Sequence, residues 1–228
     1  MPIIQRRDRV PGSEGWRWPS EVHPVLQQVL SSRAIASPAE LELDLSRLRP
    51  VGEFDALGRA VELLCRHRDG RVIIVGDFDA DGATSTALVY LCLRDLGFTD
   101  VGFFIPDRFE LGYGLTPEVV ARLSGRAPNL IVTVDNGVTS IDGVEAARVA
   151  GADVLITDHH LPGAELPAAN AIVNPNLPGD HFAGKNLAGV GVAFYLLAAL
   201  GKELGEPGRV VEYLDLVALG TIADLVPL

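Results

Sequence analysis

The sequence predicts an α/β fold: a parallel β-sheet with helices on both faces, preceded by a small helical N-terminal region. From Arg71 onward, short runs rich in valine and isoleucine alternate with longer segments of helical periodicity. That alternation is typical of a parallel sheet buried on both faces. Hydrophobic residues make up 48% of the 228 residues, which is enough to fill such a core.

Composition narrows the class of protein. Cys65 and Cys92 are too few for a disulfide framework, which predicts a reducing compartment. No run reaches the ~18 apolar residues of a membrane helix, and the N-terminus does not resemble a signal peptide, so we expect a cytoplasmic protein without a membrane span. The net charge of −11 argues against a nucleic-acid partner, but bound metal would invert the local field at clustered acids.

Residues 1–70 are predicted to form an irregular leader and a helical cap. Pro11-Gly12 and Trp16-Arg17-Trp18-Pro19 interrupt any regular pattern over residues 1–20. The tryptophans are interpreted as packing anchors. Two sets of apolar residues at helical spacing follow: Val25, Leu26, Val29 and Leu30, then Phe54, Leu57, Val61 and Leu64.

Residues 71–228 are predicted to form the main domain. Its predicted strands are Val72–Gly76, Val101–Ile105, Leu130–Val134 and Asp153–Thr157. Its predicted helices are Ala83–Leu96, Pro117–Leu123, Ile141–Ala150, Leu187–Leu204 and Val210–Leu219. Ligands of such sheets bind beyond the carboxyl ends of the strands. The residues that follow each strand are therefore the candidates for a site.

Three carboxylates follow the first predicted strand at alternate positions: Asp77, Asp79 and Asp81. In one turn they would repel one another unless a cation lay between them, and hard divalent cations prefer carboxylate oxygens. The spacing also begins an EF-hand loop, but Leu88 stands where that loop needs a glutamate. The EF-hand interpretation therefore fails. A solvated acidic turn remains the alternative for these three residues alone.

More acids and two histidines follow the later strands. Asp135 comes directly after the third predicted strand, Asp158, His159 and His160 come after the fourth, and Asp224 lies in an apolar stretch where it needs a partner. Taken singly, these residues could be a helix cap, surface histidines and an acid paired with a buried arginine. Parallel strands end at one edge of their sheet, so a single site is the favoured interpretation.

These motifs resemble those of the DHH phosphoesterase family. The resemblance is carried by Gly76-Asp77-Phe78-Asp79-Ala80-Asp81-Gly82, Val134-Asp135-Asn136-Gly137, Thr157-Asp158-His159-His160 and Ala223-Asp224. Three linking stretches resemble its RecJ branch, the single-strand-specific 5′→3′ DNA exonucleases: Arg108-Phe109-Glu110-Leu111-Gly112-Tyr113-Gly114, Asn174-Pro175-Asn176 and Leu187-Ala188-Gly189-Val190-Gly191-Val192. The resemblance covers about residues 71–228.

The resemblance implies two bound Mn²⁺ or Mg²⁺ ions. The ligands of one ion would be Asp77, Asp79 and Asp135. The ligands of the other would be Asp81, Asp135, His159 and Asp224, with Asp135 bridging. Asp158 and His160 would orient ligands or protonate the leaving group, and Arg108 would bind phosphate.

The implied function is hydrolysis of single-stranded DNA in repair and recombination. RecJ proteins continue through a long helix into a DHHA1 domain and an OB-fold, so we expect this chain to be the catalytic part. Phe103, Phe104 and Phe194 are expected in the core, and no run of basic residues lies within 71–228. Weak binding of single-stranded DNA and weak or absent cleavage are therefore expected. Repair-protein partners cannot be named.

Three alternatives remain beside this hypothesis. The chain could be a small-nucleotide phosphodiesterase or pyrophosphatase of the same family. It could be an aspartyl-phosphate phosphatase with Asp77 as nucleophile and Asp79 as acid, although that class leaves the paired histidines unexplained. It could also be a non-enzymatic interaction module that metal merely stabilises.

Overall fold

The computed structural model describes residues 18–226 except 34, 36, 43, 45, 47 and 55. The contacts divide the chain into two units, residues 1–49 and 50–228. Most of the predicted leader, residues 1–17, lies outside the described residues. In the first unit, helix α1 spans Pro24–Ser32 and a 3₁₀ turn spans Pro38–Leu41. Proline begins both because the first helical N–H needs no partner within the helix.

The second unit is built on a five-stranded parallel sheet, which confirms the predicted fold class. The strands are β1 (Arg71–Val75), β2 (Asp100–Phe104), β3 (Leu130–Val134), β4 (Asp153–Thr157) and β5 (Ala171–Val173). Their order across the sheet is β2-β1-β3-β4-β5. The first four match the predicted strands within one residue, whereas the three-residue β5 was not predicted. It is too short to show a pattern of its own.

Helices cover both faces of this sheet. One face carries α2 (Leu57–Arg66), α3 (Ala80–Asp95), α7 (Gly189–Glu203) and α8 (Leu214–Ala223); the other carries α5 (Pro117–Leu123) and α6 (Ile141–Val149). The short helix α4 (Arg108–Leu111) follows β2. Alternate residues of β1 enter opposite cores, Val72 and Ile74 in one and Ile73 and Val75 in the other. This is the two-residue period of a strand.

Two expectations about burial have different outcomes. The apolar face of α2, predicted as part of the cap, is buried in the first core; a domain boundary at residue 70 stays a prediction. The expectation that Phe103 lies in the core is wrong, because β2 is an edge strand and this side chain is 50% exposed. Phe194 is buried as expected. Among the described helices, none has the length and apolar character needed to cross a bilayer.

The strand order determines where a site can form. Strands β1, β3 and β4 are direct neighbours in register, with Val75 beside Thr133 and Val134 beside Thr157. Their carboxyl ends therefore meet at one edge of the sheet. The three groups of acids and histidines follow these three strands, so the fold brings them together as predicted.

Candidate metal centre

The chain leaves β1 through Gly76 and places Asp77 at the edge of the sheet. The Asp77 carboxylate is 7% exposed. It accepts both its hydrogen bonds from the Arg108 guanidinium, at 2.8 and 3.1 Å. A Cβ on Gly82 would lie 2.6 Å from the Asp77 carbonyl oxygen. Glycine is therefore needed there for the next helix to start this close to the strand.

The three alternating acids occupy the beginning of α3 rather than a single turn. Asp79 is the N-cap residue, and its carboxylate accepts a hydrogen bond from the Gly82 N–H at 2.9 Å. Asp81 lies in the first turn and is 2% exposed. The helix consequently begins at Ala80, three residues before the predicted start. The predicted start was too late because the capping acid, Asp79, was assigned to the preceding loop.

The carboxylate of Asp81 lies against the N-terminus of α7. It accepts hydrogen bonds from the backbone N–H groups of Gly189, at 2.6 Å, and Val190, at 2.8 Å. Burial raises the pKa of Asp81, and these two bonds oppose the shift. The free N–H groups at a helix start favour an anion in this place.

Asp135 lies at the centre of the site. It is 2% exposed and has a positive φ of 60°, a left-handed conformation that is uncommon outside glycine, asparagine and aspartate. Its N–H donates to the Thr157 carbonyl at 3.0 Å, which extends the pairing of β3 and β4 by one residue. A Cβ on Gly189 would lie 2.7 Å from the Asp135 Cβ. Only glycine lets α7 approach this closely.

His159 points its Nε2 atom at three carboxylates. Nε2 lies 3.2 Å from Asp135 Oδ1, 3.8 Å from Asp224 Oδ2 and 3.9 Å from Asp81 Oδ2. Neither His159 Nε2 nor Asp135 Oδ1 has an aligned hydrogen bond within the described part of the chain, although both are buried. Buried polar atoms without a partner are rare. Ligands that converge on a cation explain this arrangement.

The predicted metal ligands fall into overlapping groups. Ligand atoms lie within 4.8 Å of one another in three sets: Asp77, Asp79 and Asp135; Asp81, His159 and Asp224; and Asp135, His159 and His160. Asp135 lies next to both of the ligand sets that were predicted, since its Oδ1 atom is also the nearest carboxylate oxygen to His159 Nε2. Oxygen atoms with one imidazole nitrogen suit a hard divalent cation. The side chains of this edge therefore fit the predicted pair of ions.

Burial and the short distance between Asp135 and His159 shift the pKa values of both residues. Burial raises the pKa of Asp135 to about 7, against the opposing effect of His159. Burial alone would lower the pKa of His159, but the adjacent Asp135 carboxylate raises it. Both shifts come from burying several acids close to one imidazole.

Asp158 and His160 form a separate pair beside the predicted ligands. Asp158 is 1% exposed and accepts hydrogen bonds from the backbone N–H groups of Val138, His159 and His160 at 2.8 to 3.1 Å. Its Oδ1 atom also lies 2.7 Å from His160 Nδ1. Burial would raise the pKa of Asp158, but these bonds lower it. The bond to Asp158 raises the pKa of His160 to about 9.

Asp224 reaches the site from the end of α8, where it is the C-cap residue. Its position near His159 agrees with the predicted ligand set, but the reason given for it was wrong. Its apolar neighbours Ile222 and Leu225 are 64% and 87% exposed, so Asp224 is not in a buried apolar stretch. Ile222 lies on the exposed side of α8, and Leu225 follows the helix end. Periodicity could not show this exposure because the helix is apolar all round.

The site also contains residues that the sequence did not identify as site residues. The Tyr113 hydroxyl donates to the Asp135 carbonyl at 3.3 Å, and the Arg108 guanidinium lies 3.8 Å from the Phe78 ring and 5.3 Å from the Tyr113 ring. The Asn136 amide donates to the carbonyls that end β1 and β3, at 3.2 and 2.8 Å. Asn136 therefore ties two strands together at this edge.

Comparison with known proteins agrees with this fold and arrangement. The chain belongs to the DHH family: the sequence pattern of "DHH family, N-terminal domain" matches residues 71–221. The single-stranded-DNA-specific exonuclease RecJ of Escherichia coli (strain K12) is 51% identical over 222 residues, which are 92% of this chain and 38% of that protein. This chain thus spans well under half the length of that relative.

Two solved structures are similar to this chain as well. A crystal structure of exonuclease RecJ bound to manganese has a TM-score of 0.71 and 40% identity over 79% of this chain and 46% of its own. The structure of RecJ in complex with Mn²⁺ from Thermus thermophilus has a TM-score of 0.68 and 36% identity over 86% of this chain and 28% of its own. Both of these structures contain bound manganese.

Proposed function

We propose that this chain is the catalytic part of an exonuclease that hydrolyses the phosphodiester bonds of single-stranded DNA from the 5′ end. The observation that supports this most is the position of Asp135. Its buried and unpartnered carboxylate oxygen lies between the Asp77 and Asp79 side chains and the imidazole of His159. A carboxylate in that place can be shared by two ions, as two-metal phosphoester hydrolysis requires.

We assign two ions, Mn²⁺ or Mg²⁺, to this site. The proposed ligands of the first are Asp77, Asp79 and Asp135; those of the second are Asp81, Asp135, His159 and Asp224. The ions would supply charge that activates a water and stabilises the leaving oxygen of an in-line displacement. The imidazole among the carboxylates favours Mn²⁺ over calcium. The N-terminus of α7 fixes the Asp81 carboxylate in the required orientation.

Arg108 is the proposed phosphate-binding residue. Its guanidinium is held between the rings of Phe78 and Tyr113 and is bonded to both oxygens of Asp77. The side chain is 38% exposed, so it can reach solvent and substrate as well as Asp77. A guanidinium presents a planar fork of donors that matches a phosphate. In this position it can bind the phosphate beside the proposed ion of Asp77.

Asp158 and His160 are the proposed proton-handling pair. The His160 side chain is 49% exposed and its Nδ1 atom is bonded to Asp158, so the other ring nitrogen is free to meet substrate. With its pKa raised to about 9, His160 carries a proton at neutral pH and can donate it to a leaving oxygen. Asp158 fixes the ring and the backbone of the two histidines.

The proposed partner is single-stranded DNA, and this chain should bind it weakly. The net charge of −11 opposes approach to a polyanion. Strands with free 5′ ends arise in DNA repair and recombination, so we propose those processes and the cytoplasm as the setting.

The test is cleavage of oligonucleotides labelled at the 5′ end, in Mn²⁺, with single-stranded and duplex forms of one sequence. Pyrophosphate and a dinucleotide serve as small substrates. We expect metal-dependent release of labelled mononucleotide from the single strand, with the duplex cut at least about tenfold more slowly. Cleavage confined to pyrophosphate or the dinucleotide would contradict the assignment. A metal-dependent rise in melting temperature with no cleavage of any substrate would favour a module that metal only stabilises.

A further inference from the structure

The connection between β5 and α7, residues 174–188, contacts the backbone of both histidines. The Asn176 Nδ2 atom donates to the His159 carbonyl at 2.6 Å, and the Asn174 Nδ2 atom donates to the His160 carbonyl at 2.9 Å. The Asn174 side-chain oxygen accepts from the Asn176 N–H at 2.8 Å. The two asparagines thus bond to each other and to the two carbonyls.

Lys185 and Phe182 hold the connection between β5 and α7 in place. The Lys185 ammonium donates to the carbonyls of Pro175 and Asp180 and to the Asp180 carboxylate. These three acceptors satisfy all its protons. The Phe182 ring is 1% exposed and is stacked on Phe54, with centroids 4.5 Å apart. A lysine and a buried aromatic ring therefore hold the asparagines in position.

The orientation of His159 depends on bonds to the two peptide groups that flank it. Its N–H donates to Asp158 Oδ1 at 2.8 Å, and its carbonyl accepts from Asn176 at 2.6 Å. These bonds hold the backbone on both sides of the residue whose imidazole is directed at Asp81, Asp135 and Asp224. Losing the Asn176 amide releases the peptide group on the C-terminal side of His159. No comparable bond joins Asn176 to Asp77 or Asp79 among the described residues.

We infer that Asn176 is a positioning residue for His159, and that it tunes the second proposed ion site while leaving the first unchanged. This inference rests on the proposed two-metal function. Groups that orient a metal ligand from outside the coordination shell typically alter metal affinity about 10–100-fold. The effect of Asn176 should fall on the ion held by Asp81, His159 and Asp224.

Asn170 supplies a matched control in the same region of the chain. Like Asn176 it is half-buried and donates from its side chain at short distance, to Asp153 at 2.7 Å. Its oxygen accepts from the Val154 N–H at 2.9 Å. These bonds lie at the start of β4, at the opposite end of the sheet from the site. Asn170→Ala therefore removes a structural amide without reaching the histidines.

The experiment is a calorimetric Mn²⁺ titration of the metal-free wild type, Asn176→Ala and Asn170→Ala, with melting temperatures measured alongside. We expect two binding steps in the wild type. Asn176→Ala should weaken one step about 10–100-fold and shift the other less than about twofold. Asn170→Ala should lower the melting temperature and leave both steps unchanged. If Asn176→Ala does not fold, Asn176→Leu, which keeps the branched shape without a charge and loses the amide donor, takes its place with the same expectation.

The outcomes separate this inference from the proposed function. A wild type that binds no Mn²⁺ contradicts the proposed two-metal function itself. A wild type with two steps and an Asn176 variant with both steps unchanged, or both weakened equally, contradicts only the positioning role. Equal losses of Mn²⁺ affinity in the Asn176 and Asn170 variants would show a general effect of stability, and would also overturn the inference.

Discussion

The acids at the two ends of the same sheet differ in whether their oxygens have hydrogen-bond partners. At the amino end, Asp153 begins β4 and is fully partnered: its oxygens lie 2.8 Å from His67 Nε2 and 2.7 Å from Asn170 Nδ2. At the carboxyl end, Asp135 follows β3 with one oxygen unpartnered and a left-handed backbone. Both acids belong to adjacent strands of one unit, so the fold alone does not explain the difference.

The difference indicates which end stabilises the fold and which end serves a ligand. A satisfied network of hydrogen bonds at Asp153 contributes to stability. A buried carboxylate without a partner costs stability, and so does backbone strain of the kind seen at Asp135. Such a cost is retained where a ligand compensates for it. This contrast supports the proposed site at the carboxyl end of the sheet.

The largest expected effect comes from replacing the unpartnered acid. Asp135→Asn should lower Mn²⁺-dependent cleavage of single-stranded DNA at least about 100-fold, the upper range for groups that only orient a ligand. Asparagine also tolerates the left-handed backbone, so the metal-free variant should melt at or above the wild-type temperature. Initial rates at saturating Mn²⁺ and thermal melts measure both. Near-normal rates would remove Asp135 from the site.

Metal should stabilise the chain because it supplies the partner that the carboxyl end lacks. At a hundredfold excess over Kd, a ligand that binds only the folded state adds about 2.7 kcal/mol, or roughly 5–10 °C in Tm for a chain of this size. Melting curves with EDTA and with Mn²⁺ measure the rise, and the Asp81→Asn/Asp135→Asn double variant should lose it. A wild-type Tm that does not change when Mn²⁺ is added would mean that these acids have other partners in the folded state.

Removing the partnered acid at the amino end of the sheet should lower stability without changing metal binding. Asp153→Ala leaves His67 and Asn170 without their shared partner, at a cost of about 1–3 kcal/mol, or roughly 2–12 °C in Tm. The two Mn²⁺ binding steps should stay unchanged. Denaturant unfolding and Mn²⁺ titration on the same sample check both parts. Weakened Mn²⁺ binding would show that the two ends of the sheet are coupled.

A further expected effect is a pH dependence confined to the metal-free protein. Because the folded-state pKa of Asp135 is raised to about 7, the folded state retains a proton that the unfolded state releases near pH 4. Stability should therefore fall as pH rises from about 4 to 7. The raised pKa values of Asp81 and His159 act in the same direction. Melts in EDTA across this range test it, with Asp135→Asn as control; a wild-type slope no steeper than that of Asp135→Asn would contradict the raised pKa.

Much of the fold and of the site's location could be predicted from the sequence. Strands such as Leu130–Val134 are buried on both faces and therefore form continuous apolar runs, which are easy to recognise. Polar residues placed directly after such strands must share one edge. That rule placed Asp77, Asp135 and His159 together. Asp224 was included because of its apolar neighbours, a reason that the structure contradicts, and because of the family resemblance.

The features that the sequence did not predict depend mostly on contacts between distant segments of the chain. The pairing of Arg108 with Asp77 and the bond from Asn176 to His159 join positions 31 and 17 residues apart, and no local pattern encodes them. The exposure of Phe103 follows from strand order, which a single strand's sequence does not contain. Asp79 as a helix cap was missed because a capping acid and a metal ligand have the same sequence signature.

The most direct test of the central claim is anomalous scattering from crystals of this chain soaked in Mn²⁺. The account predicts two peaks at the carboxyl ends of β1, β3 and β4, about 3.5–4 Å apart, one on each side of Asp135. His159 should contact only the peak that Asp81 and Asp224 share. A single peak that Asp135 does not contact, or no peak at this edge at millimolar Mn²⁺, would contradict it.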